Sequence, residues 1–168
     1  QQGIYKGLTT EDVQDMVTDL LTLQDEKLWT GNDTKLSEAT TNEYVGLLTQ
    51  LTHTSAIADG VKIVDAIRSE IANLSARKDY DVKPSVIVVN PITYDLIEQE
   101  EQARPTNYKH YEVTMTAGIK VIGVMTAMGV LPIIADPYLP LDTKTISGST
   151  IHKIAILSEN LLTRYYVG

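Results

Sequence analysis

The chain has 168 residues, a formal charge of −8, no cysteine, and nine tyrosines beside one tryptophan and no phenylalanine. These values exclude a disulfide framework, a thiolate metal centre and a cysteine nucleophile, and they argue against a general nucleic-acid binder, which needs basic surface to displace counterions. The size suits one domain, or one domain with two lobes, that buries about two-thirds of its unfolded surface without a metal or disulfide staple.

No apolar run approaches the roughly 20 residues that cross a bilayer, and no signal peptide is visible. The sequence opens at Gln1 without an initiator Met, so it is expected to be a fragment or a processed product. Tyrosine joins apolar area to a hydroxyl, which suits half-buried and interface positions.

Residues 1–8 are expected to fray. Thr9-Thr10-Glu11-Asp12 has the form of a capping box, and Val13, Met16, Val17, Leu20, Leu23 and Leu28 follow at helical spacing. The expected helix runs from about Thr10 to Lys27, with Gly31 placed to close it. The polar stretch 31–42 reads as a loop, and Glu43 to Leu51 as a short helix or turn. Ile57, Val61, Val64, Ile67, Ile71 and Leu74 then form one stripe. This predicts a long amphipathic helix from about Ser55 to Lys78, near 30 Å at about 1.5 Å per residue.

The most informative stretch is Lys83 to Gln102. Val86 to Val89 is a β-branched run of the kind buried on both faces of a sheet. Asn90 is a favoured helix cap, and Pro91 fits the first helical position, which needs no N–H donor. Ile92, Leu96 and Ile97 fall on one side of the following helix, with Asp95, Glu98, Glu100 and Glu101 on the other. Beyond a loop around Pro105, strands are expected at His110–Thr116, Ile119–Met125 and Val130–Ala135. Asp136-Pro137-Tyr138-Leu139-Pro140 must leave the sheet, because each proline lacks a donor. A polar loop from Leu141 to Thr150, a strand at Lys153–Leu157, a turn at Ser158–Leu162 and a terminal strand at Arg164–Val167 complete the chain.

The candidate chemistry is sparse. His53, His110 and His152 have no i, i+4 partner and read as surface or loop histidines. The carboxylates of Asp95, Glu98, Glu100 and Glu101 could do acid–base work only in a cleft, and on an outer helix face they read as solvated. Asp136 follows a strand, where α/β enzymes place acids. It lacks a phosphate loop or nucleophile elbow beside it and reads as a turn residue. Ser85, Ser147 and Ser149 have no nucleophile context, and Gly118, Gly123 and Gly129 lie too far apart for a dinucleotide fingerprint.

The order of these elements resembles a known family. An alanine-bearing helix (55–78) leads to Pro84-Ser-Val-Ile-Val-Val-Asn-Pro-Ile-Thr-Tyr94 and a helix. A β-rich section follows, with Gly129-Val-Leu-Pro-Ile-Ile-Ala-Asp-Pro-Tyr-Leu-Pro140, and then Lys153-Ile-Ala-Ile-Leu-Ser-Glu-Asn160 and Arg164-Tyr-Tyr-Val167. Asn42-Glu-Tyr-Val-Gly-Leu-Leu48 adds to the likeness. Residues 42 to 167 are similar to the major capsid proteins of tailed bacteriophages and prophages, which share the Hong-Kong-97-type capsid fold.

The resemblance implies an α+β fold in which a long spine helix packs on a β-sheet and an axial lobe is inserted. Residues 1–42 would form an N-terminal helix and flexible loop, 43–102 with 151–168 the peripheral lobe, and 103–150 the axial lobe. It implies a structural subunit that self-associates into an icosahedral shell around packaged DNA. The subunit would be found in the virion, and in the bacterial host cytoplasm before assembly. Its partners would be copies of itself, with no small-molecule substrate, no specific nucleic acid and no membrane. It would be no enzyme, with no catalytic residue, cofactor or metal. Tyr108, Tyr111 and Tyr138 would be subunit contacts. The chain is about half the family's usual length and lacks its N-terminal arm and extended loop, so a carboxy-terminal portion of a longer protein is expected. Two other readings stand beside this one. One is a hydrolase-type α/β enzyme with acids near Asn90 and Asp136. The other is a head-accessory or encapsulating shell protein on the same fold.

Overall fold

The computed structural model describes residues 2–31, 45–58, 60–78, 82–103, 111–114, 120–143 and 150–158. Two compact units divide between Thr54 and Ser55.

In the first unit α1 spans Gln2–Trp29, so Thr9–Asp12 lies inside the helix and does not start it. No proline interrupts residues 2–9, and once a helix is nucleated each added residue gains a bond at little cost, so a box-like sequence need not mark its beginning. The other end matches expectation. Thr30 donates from its backbone N and its hydroxyl to the Glu26 carbonyl, at 3.3 and 3.1 Å. Gly31 then takes a left-handed φ of 46°, which glycine adopts without steric cost. Gly31 also pairs with Val45 in an antiparallel bridge. The chain turns from there into a single helical turn, α2, at Leu47–Gln50. Gln50 Nε2 donates to the Val45 carbonyl at 2.7 Å, and Trp29 is buried.

The second unit opens on a correction. The expected long helix is α3, Ile63–Ser75, 13 residues and therefore about 20 Å at 1.5 Å per residue. Gly60, at φ 80°, and an extended Lys62 break the pattern before it. Ile57 and Val61, which the stripe includes, are exposed and outside the helix. What starts α3 is distant in sequence. Both carboxylate oxygens of Glu100 accept from the Ile63 backbone N, at 2.8 and 3.1 Å. This satisfies an orphan donor and places negative charge at the positive end of the helix. Glu100→Ala is expected to destabilise the protein by about 1 kcal/mol, the usual worth of a side-chain cap, whereas Asp95→Ala, which removes only an exposed i, i+4 bond to Gln99, should stay within about 0.5 kcal/mol. Denaturant midpoints of the two variants check this.

The remaining elements are β1 (Val86–Val89), α4 (Pro91–Gln102), β2 (Tyr111–Thr114), β3 (Lys120–Thr126), β4 (Gly129–Ala135), β5 (Asp142–Thr143), β6 (Thr150–Ile151) and β7 (Ile154–Leu157). Five strands make one mixed sheet in the order β2-β3-β4-β1-β7. The β1–β4 pair is parallel, in the register Ile87 with Ile133, and the others are antiparallel. β5 and β6 pair as a separate ribbon at the two ends of the expected 141–150 loop. Helix and sheet are mixed in the α+β manner, as expected. The sheet takes β2 to β4 from residues 103–150 and β1 and β7 from the flanking segments.

β1 is buried on both faces along its whole length, as its β-branched run predicts. Ile87 and Val89 project to one face with Val124, Leu131 and Ile133. Val64, Ile67 and Ile71 of α3 and Ile97 of α4 close over them to form the core. The terminal strand expected at 164–167 and the loop expected at 31–42, beyond Gly31, lie outside the described residues.

The face of α4 is a second correction. Of the three residues expected to face inward, Ile97 is buried, but Ile92 is 58% exposed and Leu96 is also exposed; Thr93 and Glu101, four residues to either side of Ile97, are buried in their place. Periodicity alone chooses the more apolar side. Here the hydrogen bonds of Asn90 to Leu139 and of Thr93 to His152 hold the helix in a different rotation.

Candidate functional site

The strand–helix corner is built as its residue types dictate. β1 ends at Val89, and Asn90 turns the chain with an extended backbone. Its Oδ1 accepts from the Ile92 N at 3.1 Å, the expected capping bond, and Pro91 occupies the first position of α4. The other end of the amide does something local reasoning misses. Asn90 Nδ2 donates to the carbonyl of Leu139 at 2.9 Å, across 49 residues.

Leu139 is fully buried at the end of the Asp136–Pro140 turn. That turn is self-braced. Asp136 N donates to Val89 O at 2.8 Å, which carries the parallel β1–β4 ladder one step past Ala135. Asp136 Oδ1 accepts from Tyr138 N at 2.9 Å, and Leu139 N donates to Asp136 O at 3.3 Å. An aspartate that accepts from the backbone two residues on, followed by proline, is a standard way to leave a strand. The reading of Asp136 as a turn residue therefore holds.

The third component comes from the far strand. β7 runs antiparallel to β1, with Ile154 opposite Val89, so the residues before it arrive at the same end of the sheet. His152 is half-buried there, and its Nδ1 lies 2.9 Å from the hydroxyl of Thr93, which is fully buried in the first turn of α4. Lys153 pairs with Asp142 at 2.7 Å and so fastens the β5–β6 ribbon to the same corner. The structure thus gathers Asn90, Thr93, Asp136 and His152 at the carboxyl ends of the parallel strands.

Of these, Thr93 had no signal. A threonine in a helical run reads as neutral, and its partner is 59 residues away. Asn90→Ala should lose both the cap and the Leu139 bond, about 2 kcal/mol in all, whereas Asn90→Asp keeps the acceptor and should lose only the second, about 1 kcal/mol. Chemical denaturation of the pair separates the two roles.

The other candidates are dispersed. His53 is exposed in the first unit. His110, Ser147, Ser149, Gly118 and Tyr108 lie outside the described residues. Ser85 continues the β1–β7 ladder, its N donating to Leu157 O at 2.9 Å. Asp95 is solvated, as expected. Glu98 is half-buried, Glu100 caps α3 and Glu101 is 7% exposed, so the carboxylate run is not a uniform solvated face.

Gly123 is a sheet glycine. A Cβ there would stand 2.5 Å from Val130 Cγ1 and 2.7 Å from Val113 Cγ2. Gly129, at φ 99°, closes the β3–β4 hairpin, where the Thr126 hydroxyl donates to its carbonyl at 2.8 Å. Tyr111 opens the edge strand β2 and Tyr138 sits in the turn after β4, both half-buried. Among the described residues no three His, Cys, Asp or Glu side chains come together as a metal site, and no helix is long and apolar enough to cross a membrane. Comparison with protein-family profiles, curated proteins and solved structures returns no match.

Proposed function

We propose that this chain is a structural subunit of a phage or prophage capsid, packing against copies of itself in a closed shell around packaged DNA, on the Hong-Kong-97-type fold that its order of elements resembles. The observation that carries this reading is the bracing of the strand–helix corner. Asn90 ties β1 and α4 to Leu139, Asp136 ties the end of β4 to Val89 and to its own turn, and Thr93 ties α4 to the approach of β7. Side chains at the place where an α/β enzyme would carry its chemistry are spent on stiffness. A shell subunit needs a stiff block, because contacts repeated around a shell add their angular errors.

The acidic balance suits a container that does not grip its packaged DNA. Tyr111 and Tyr138 are the described contact candidates, with Tyr108 assigned by the resemblance alone. Negative-stain electron microscopy of the gene product carrying this sequence is expected to show shells, tubes or sheets. A product that stays discrete under every condition would refute the proposal. The 168-residue chain by itself should sediment as a monomer or a weakly associating species at micromolar concentration. A tight two-fold dimer would oppose the reading, since closed pairing blocks growth of a shell. A neighbouring terminase, portal and protease gene would favour the capsid over an accessory or encapsulating shell.

One observation favours a second reading. The parallel pair sets Asn90 and Asp136 side by side at the carboxyl ends of β1 and β4, with His152 bonded to the first turn of α4. A hydrolase working there would lose its activity in both Asp136→Asn and His152→Ala while keeping its fold. A panel of ester and phosphate substrates turned over by the wild type, and by neither variant, would establish it.

A further inference from the structure

Helix α1 carries an exposed apolar face. Between Asp12 and Leu28 seven large apolar side chains are exposed, from 46% at Leu28 to 70% at Met16. At about 100° per residue they occupy one arc of roughly 160°. Within it Val13, Met16, Leu20 and Leu23 repeat at the alternating three-and-four spacing of a helix–helix seam.

Most of the acidic charge lies on one side. Asp12, Asp15, Asp19 and Glu26 all fall along the border next to Met16 and Leu23, and all four are exposed. The opposite border is Gln14, Thr18, Thr22 and Asp25. The only cation between residues 12 and 28 is Lys27, at the end of the stripe.

This asymmetry selects among possible occupants. Two copies of α1 paired antiparallel across a two-fold axis set acidic border against acidic border. Paired parallel, they set it against the mostly neutral border and gain no ion pairs, while the −8 charge of each chain adds repulsion. An anionic membrane surface repels the same border, where interfacial helices normally carry lysine and arginine. A helix with its own apolar stripe and a basic border satisfies both features at once. We propose that α1 is the docking surface for an amphipathic helix of another protein, seated on Val13, Met16, Leu20 and Leu23 and steered by lysines or arginines against Asp12, Asp15, Asp19 and Glu26.

The test is titration calorimetry of the full chain with designed peptides. The probe has leucine at the seam positions and lysine on both borders. The comparators are the same composition with the leucines scrambled off the stripe, and the original pattern with glutamate in place of lysine. The lysine-bordered peptide should bind, at least tenfold more weakly at raised salt, and neither comparator should. Leu20→Ser should weaken it at least tenfold. Asp15→Lys combined with Asp19→Lys and Glu26→Lys should reverse the preference toward the glutamate-bordered peptide, a gain that a damaged fold cannot produce.

Equal binding of the scrambled peptide would reduce the effect to bulk charge and overturn the proposal. Tighter binding of the glutamate-bordered peptide by the wild type would overturn it as well. So would a concentration-dependent dimer abolished by Leu20→Ser, which assigns the face to a second copy, and so would flotation with phosphatidylserine vesicles abolished by the same change, which assigns it to a membrane.

Discussion

Replacing Ile67 with aspartate is expected to leave the second unit without a cooperative unfolding transition. Ile67 is buried in α3 between Val64 and Ile71, and the three face Ile87, Val89, Leu131 and Ile133 of the sheet. Removing the isoleucine side chain alone costs about 2–5 kcal/mol, by lost burial and the cavity left behind. An aspartate adds a carboxylate that must either stay charged in an apolar cluster or take up a proton, each at several kcal/mol. Together these reach the 5–15 kcal/mol, in round terms, that is the whole stability of a typical domain.

The measurement is thermal unfolding followed by circular dichroism, with Ile67→Val as a partner expected to cost about 1 kcal/mol and to melt cooperatively. Lys62→Ala should be near neutral, because Lys62 caps α3 with its backbone and its side chain makes no capping bond. A soluble Ile67→Asp protein that melts cooperatively would show that this face of α3 is not core.

What could be read from sequence and what could not divides by the range of the interaction. The corner at Asn90 was legible because each signal is local. A β-branched run needs burial, an asparagine offers a cap to a backbone N two residues on, and a proline fits where no donor is needed. Gly31 and the Asp136 turn were legible for the same reason. The beginning of α3 was not, since its cap is a glutamate 37 residues away and the stripe through Ile57 and Val61 continues the period without a helix under it.

The buried face of α4 was hidden as well. Counting apolar residues groups Ile92 and Leu96 with Ile97, and of the three only Ile97 is buried; Asn90 and Thr93 are anchored to Leu139 and His152, and those anchors turn Thr93 and Glu101 inward beside it. The candidate site follows the same rule. Asn90 and Asp136 stood out singly. Their common corner depends on the parallel β1–β4 register and on β7 returning antiparallel, and no local pattern encodes either.

In the first unit the substitution with the largest expected effect is Gly46→Ala. Gly46 has φ −63° and ψ 154°, a conformation open to any residue, so backbone strain is not at issue. The cost is space. A Cβ at this position would overlap the carbonyl carbon and oxygen of Thr30 and lie 2.6 Å from the carbonyl oxygen of Trp29. Those atoms are backbone and cannot swing aside as a side chain would, so the strand bridge between Gly31 and Val45 must part.

Trp29 reports the event directly, being the sole tryptophan and only 2% exposed. Gly46→Ala should shift its fluorescence to longer wavelength and open it to quenching by acrylamide. Gly60→Ala is the contrast. Its Cβ meets open space but its φ of 80° is strained for alanine, so it should cost about 1–2 kcal/mol through backbone strain within the second unit. Unchanged emission in Gly46→Ala would mean that the chain after α1 does not return against Trp29 and Thr30, and the close approach that defines the first unit would be wrong.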